Sequence, residues 1–182
     1  MIEFALVAPV LAMLLMGAFD LAHRLYVESA LQGVVQKTAR DSSLETGTDA
    51  EVADKLDQQV RDQVLQLAPK GEVTITRRAY RNYAAAARKA EAFTDVNKDG
   101  TCSNGEPYED ANRNGRWDLE GGSTGQGGAL DATVYTATVY YPKLFPFWKM
   151  VGSSDHATAR ATTVLRNQPY GDQGTPTAGT CA

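Results

Sequence analysis

Cysteine, histidine and tryptophan are scarce in this sequence of 182 residues, with two of each. Cys102 and Cys181 lack the short spacing of a zinc or redox motif, so thiolate–metal and dithiol chemistry are excluded. His23 and His156 lie far apart, with no acid or nucleophile spaced for a proton relay. A basic stripe is also missing. With a formal net charge of −4 and nothing arranged to neutralise phosphates, nucleic acid is excluded as a partner. Sixteen Gly and seven Pro follow no collagen-like period, and the length leaves no room for a repeat array or a large enzyme. What remains is the composition of a folded protein, 43% hydrophobic and 22% charged.

Two local extremes depart from these averages. The first is the N-terminus, where residues 4–19 carry no polar side chain between Glu3 and Asp20. At about 1.5 Å per residue this stretch is slightly short for a hydrocarbon core of about 30 Å, and Leu21, Ala22 and Leu25 extend it to a spanning length. A secretory signal needs a basic region ahead of its apolar core, and here only Glu3 precedes it. A soluble core helix would keep a polar face. An ordinary anchor would hold His23 and Arg24 on the cytoplasmic side, a conflict that disappears if a basic leader is removed ahead of residue 1.

Glu3 costs a few kcal/mol at the edge of hydrocarbon unless it is paired, although the first helical turn favours its charge. It either reaches headgroup water or pairs with the α-amino group of a neighbouring chain. Pro9 is expected to kink or loosen the helix. Beyond Asp20 the pattern stays helical, with Leu21, Leu25, Leu31, Val34 and Val35 forming the expected buried stripe.

Gly47 closes a linker, and Thr48 with Glu51 forms a capping box for a second helix whose buried face is Val52, Leu56, Val60 and Val64. Strands are expected from Glu72, over 132–141 and over 156–166, where the period switches to two or the run is rich in β-formers. The expected fold is α+β: a long N-terminal helix, and a second helix packed on a small antiparallel sheet. Residues 1–24 form the membrane or assembly part and residues 25–182 an extracytoplasmic head. Within that head, 95–120 is expected to form an insert and 121–128 a flexible glycine-rich linker.

The stretches MIEFALVAPVLAMLLMGAFD, YYPKLFPFW and ATARATTVLRNQPYG resemble the TadE/TadG-like minor pilins of tight-adherence pili, type IVc, at the start and end of the chain. The resemblance implies a type IV pilin-like subunit whose basic leader is cut by a prepilin peptidase. Its helix is held in the inner membrane with a periplasmic head, and then packs with other pilin-like subunits into an extracellular pilus or pseudopilus. Glu3 matches the pilin-type glutamate, usually the fifth mature residue, so a leader and two further residues are expected ahead of Met1.

The second extreme is acidic. Residues 91–120 hold eight Asp or Glu against three Lys or Arg, which is most of the chain's negative balance. Residues 95–106, DVNKDGTCSNGE, satisfy the calcium-loop pattern D-x-[DN]-x-[DN]-G-x5-E. Oxygen ligands would come from Asp95, Asn97, Asp99, the Thr101 carbonyl, Ser103 or a water, and Glu106, with Gly100 permitting the sharp turn. Fifteen residues later a second, weaker loop repeats the pattern with Asp110, Asn112, Asn114, the Arg116 carbonyl and Asp118. It has fewer charges and no acid at its twelfth position, so it is expected to bind more weakly or to borrow Glu106 or Glu109. No long helix flanks either loop, which speaks against a paired sensor hand. The competing view is a solvated acidic turn.

In an oxidising compartment Cys102 and Cys181 suggest a disulfide; free thiols or bonds to partner chains are the alternatives. The formal hydrolase pattern around Ser123 lies in a glycine-rich run rather than between a strand and a helix, so no catalytic residue is assigned. Trp117, Phe145, Phe147 and Trp148 are assigned to core or subunit packing ahead of a binding patch, and Arg77, Arg78, Tyr80, Arg81 and Tyr83 to a strand rather than a nucleic-acid surface. The leading reading is a non-enzymatic minor pilin with a calcium-braced head. The alternative is a membrane-anchored, calcium-dependent adhesin or ligand-binding module that never polymerises.

Overall fold

The computed structural model describes residues 2–44, 50–103, 105–149, 152–168 and 172–182. Helix α1 (Ile2–Leu44) runs through Pro9 without interruption, and α2 (Ala50–Leu67) follows. Then come β1 (Glu72–Tyr80), α3 (Tyr83–Arg88), β2 (Pro107–Asp110), β3 (Ser123–Thr124), β4 (Ala132–Pro142), β5 (His156–Arg166) and β6 (Thr177–Thr180), with a 3-10 turn at Pro146–Lys149. One sheet has the order β3-β1-β4-β5 and a second pairs β2 with β6. Two helices leading into an antiparallel sheet make the chain α+β. Thr48 and Gly47, the expected cap and linker end, lie outside the described residues.

The chain forms two compact units. The first comprises Met1–Thr38, Leu56–Ile75 and Thr136–Thr162. Val27, Leu31 and Val35 recur every fourth residue of α1 and are fully buried; Leu56, Val60 and Val64 repeat the spacing on α2 and are buried, the two valines fully. Each such side chain gains about 1.5–3 kcal/mol on leaving water, which offsets the entropy of ordering two helices. The strands add Val73, Ala137, Val139, Tyr141, Ala159 and Ala161 at period two. Arg61 of α2 donates to the Val73 carbonyl at 2.5 Å. The expected stripe on α1 needs correction: Leu31 and Val35 lie on it and Val34 is half-buried, but Leu21 and Leu25 are exposed. At 100° per residue they point well away from Leu31 and continue the apolar surface of residues 4–19 instead.

The second unit comprises Ala39–Lys55, Thr76–Tyr135 and Thr163–Ala182. Tyr80, Ala86 and Ala132 form a small core there, with Ala85 and Val134 packed against it. Tyr83 belongs to α3 rather than to a strand, because the Asn82 side chain accepts the Ala85 N–H at 2.8 Å and caps a run of four alanines. Arg77, Arg78 and Tyr80 are in β1, and Arg81 follows its end. The run 121–128, expected as a flexible linker, supplies β3, whose Ser123 and Thr124 pair with Ala79 and Arg78.

Candidate functional site

In the first loop Lys98 and Gly100 take positive φ, and the chain winds around its own side chains. Asp95 accepts the N–H of Asp99 at 3.2 Å and of Gly100 at 2.9 Å; Asn97 Oδ1 accepts the Asp99 N–H at 2.9 Å. Asp99 accepts the Thr101 N–H and hydroxyl at 2.8 and 2.7 Å. Glu106, only 3% exposed, closes the loop by accepting from Val96, Asn97 and Ser103. Carboxylate oxygens of Asp95, Asp99 and Glu106 lie within 4.8 Å of one another.

The second loop repeats this winding. Arg113 and Gly115 take the positive φ values, Asp110 accepts from Asn114 and Gly115, Asn112 accepts from Asn114, and Asn114 accepts from Arg116. Its closing carboxylate is neither Glu106, which is committed to the first loop, nor Glu109, which is exposed. It is Glu91. This side chain, 3% exposed, accepts from Ala111 at 2.8 Å, Asn112 at 3.5 Å and Asp118 at 3.1 Å. These are the second, third and ninth residues of the loop, the same positions that Glu106 serves in the first. Gly121 occupies the twelfth position, and a Cβ there would fall 2.1 Å from Glu91 Cγ. The Glu91 side chain therefore fills the space that a twelfth-position side chain would need.

Pairing of the flanking chain carries Glu91 to this point. Thr94 donates to the Pro107 carbonyl, Glu109 donates to the Ala92 carbonyl, and Phe93 bridges to Tyr108. Trp117 packs edge-on to Phe93 and donates its indole N–H to the Glu91 carbonyl at 3.1 Å. On its other edge β2 pairs with β6, and the disulfide Cys102–Cys181 joins the C-terminal tail to the first loop, with 5.5 Å between Cα atoms. Arg113 donates to the Thr175 carbonyl and Thr177 to Asp110, so the tail holds the second loop as well.

Bonds from the Thr101 hydroxyl and N–H and from the Asn97 amide hold the Asp99 carboxyl at about 2, and the Asn112 and Asn114 amides lower that of Asp118. Burial raises Glu91, outweighing its three backbone donors. Asp99 and Asp118 thus favour the fold above their ordinary values, a contribution lost as pH falls through the lowered ones. Glu91 has the opposite sign: its contribution is full below the ordinary glutamate value and lost as pH rises through the raised one. A carboxyl NMR titration in calcium-free buffer should place Asp99 at about 2 and Glu91 above an ordinary glutamate. An Asp99 midpoint near 4 would mean that the loop's bonds do not form in solution.

The N-terminal helix is the other candidate feature. Phe4, Leu6, Val7, Val10, Leu11, Leu14, Leu15 and Phe19 are more than half exposed, and Glu3 is exposed in the first turn. The helix is long and apolar enough to cross a membrane. No curated protein and no solved structure matches this chain. The helix that carries the exposed apolar surface is nevertheless of a known kind, because residues 1–40 match the family model described as TadE-like protein.

Proposed function

We propose that this chain is a non-enzymatic minor subunit of a tight-adherence pilus, held in the inner membrane by α1 and assembled through that helix, with its head in the periplasm and then outside the cell. The carrying observation is that the TadE-like match falls on a helix whose large apolar side chains between Phe4 and Phe19 are mostly exposed. Such a surface is stable in lipid or against other apolar helices.

In a helix bundle an unpaired carboxylate is strongly disfavoured, so Glu3 acts by offsetting the α-ammonium of a neighbouring subunit. Glu3→Gln and Glu3→Ala chains should insert in membranes normally yet enter sheared pili, or co-purify with other pilin-like subunits, at least tenfold less than wild type. Equal incorporation would remove this role and weaken the assembly reading.

The two loops serve the same subunit as structural calcium sites. The first would use Asp95, Asn97, Asp99, the Thr101 carbonyl, Ser103 and Glu106; the second Asp110, Asn112, Asn114, the Arg116 carbonyl, Asp118 and Glu91. Both Asp95 oxygens, Asp110 Oδ1, Glu91 Oε2 and Glu106 Oε2 each accept a single N–H and keep a lone pair for an ion, and calcium takes six to eight oxygens. Extracellular modules bind at about 10⁻⁴ to 10⁻³ M, a range in which the ion braces the fold and carries no signal.

A further inference from the structure

Asp20 ends the apolar stretch of α1, yet it is almost fully buried, at 8% exposure. Its carboxylate accepts the Leu144 N–H at 3.0 Å and the indole N–H of Trp148. Two donors from one short segment therefore fasten residues 143–149 to the helix at the residue after Phe19. Depth follows from this bond. Residues 4–19 cover about 24 Å of a hydrocarbon core of about 30 Å, so Asp20 lies within a few ångström of the core boundary, and the headgroup layer beyond it is about 5–7 Å deep. A segment bonded to Asp20 therefore falls at the inner edge of that layer.

Its chemistry fits the place. Leu144 is half exposed, Phe145 and Trp148 are half-buried, and Lys143 and Lys149 flank them. Lys143 Nζ lies 4.2 Å from the Trp148 ring centroid and donates to the Ser154 carbonyl; Lys149 pairs with Asp155 at 2.7 Å. Trp with an apolar body and a polar tip, beside lysines with long stems, is the side-chain mixture that bilayer interfaces select. The patch is also continuous in composition with Phe19, Leu21 and Leu25, which are exposed on α1.

We propose that residues 143–149 are a membrane-seating element, lying in the headgroup layer of the bilayer that α1 spans and held there by Asp20. The inference rests on the anchoring reading of α1, and the experiment separates the two.

The full chain is reconstituted in vesicles of phosphatidylcholine and phosphatidylglycerol whose acyl chains are brominated near the headgroup or near the bilayer centre. With two Trp in the chain, Trp117→Phe leaves Trp148 as the single indole, and the difference between wild type and Trp148→Phe gives the same signal without touching the second loop. Shallow bromine should quench Trp148 at least twofold more than deep bromine, and Asp20→Ala should reduce that quenching while raising quenching by aqueous iodide. Strong iodide quenching with indifference to bromine in the Asp20 chain would overturn the proposal. So would a Trp148 that neither quencher reaches, since that describes a dry contact with protein.

Leu11→Trp in a Trp117→Phe, Trp148→Phe background reports on α1 itself. Deep quenching there without shallow quenching of Trp148 defeats the seating element alone; no quenching of Leu11→Trp defeats the anchoring reading and the seating element with it.

Discussion

Chelating calcium should lower the melting temperature of the full chain by about 5–10 °C for each site emptied, and should expose residues 95–120 to protease. In buffer holding calcium at a hundred times the dissociation constant, about 10–100 mM at these affinities, an ion adds about 2.7 kcal/mol to the folded state. In a chain of this size each kcal/mol moves the midpoint by about 2–4 °C. Without the ion, the negative charges crowded into residues 91–120 repel one another at short range. Titration calorimetry should count two ions per wild-type chain. Glu106→Gln and Glu91→Gln should each reduce the count to one, whereas Glu109→Gln should leave it at two. A melting curve indifferent to chelator would end the calcium reading. A count of two in Glu91→Gln would end the assignment of that residue and leave the first loop intact.

The second large effect concerns the disulfide. Replacing Cys102 and Cys181 by Ser should destabilise the protein by about 4 kcal/mol, because the bond closes a loop with a sequence separation of 79 in the unfolded chain. The corresponding fall in melting temperature is about 8–16 °C. Local damage adds to the entropy term. The Cys181 N–H donates to the Glu106 carbonyl and the Gly105 N–H to the Cys181 carbonyl, so a freed tail loosens the turn that presents Glu106. Calcium affinity at the first loop should therefore fall severalfold in the same variant. Identical melting of the oxidised and reduced wild-type proteins would show that the bond adds nothing to stability.

Long, strongly periodic elements were legible in the sequence. Val60 and Val64 announce the buried face of α2, and the alternation around Val139 and Tyr141 announces β4, because burial imposes one repeat on many residues. The first loop was equally plain, since its residues sit at fixed offsets within one local turn. The elements that escaped are short and owe their existence to partners. Ser123 and Thr124 are a strand because β1 offers them hydrogen bonds, and β2 and β6 form against each other. Four alanines after Asn82 carry no hydrophobic period to mark α3. Leu21 and Leu25 look like core residues by composition, and only the rotation of α1 shows that they continue the apolar span. Glu91 was the hardest to find. Nothing in its local spacing marks it, and it reaches the second loop through the pairing around Phe93 and Tyr108.

That crossing has an evolutionary corollary. A homologue that gained one residue between Glu91 and Asp95 would keep both loop signatures letter for letter, yet its second site would lose its final carboxylate. On the proposed calcium reading, counting signatures in such a sequence would give two cations where calorimetry would count one. Any graft of the paired loops into another scaffold must therefore begin at or before Glu91 and keep Gly121 small.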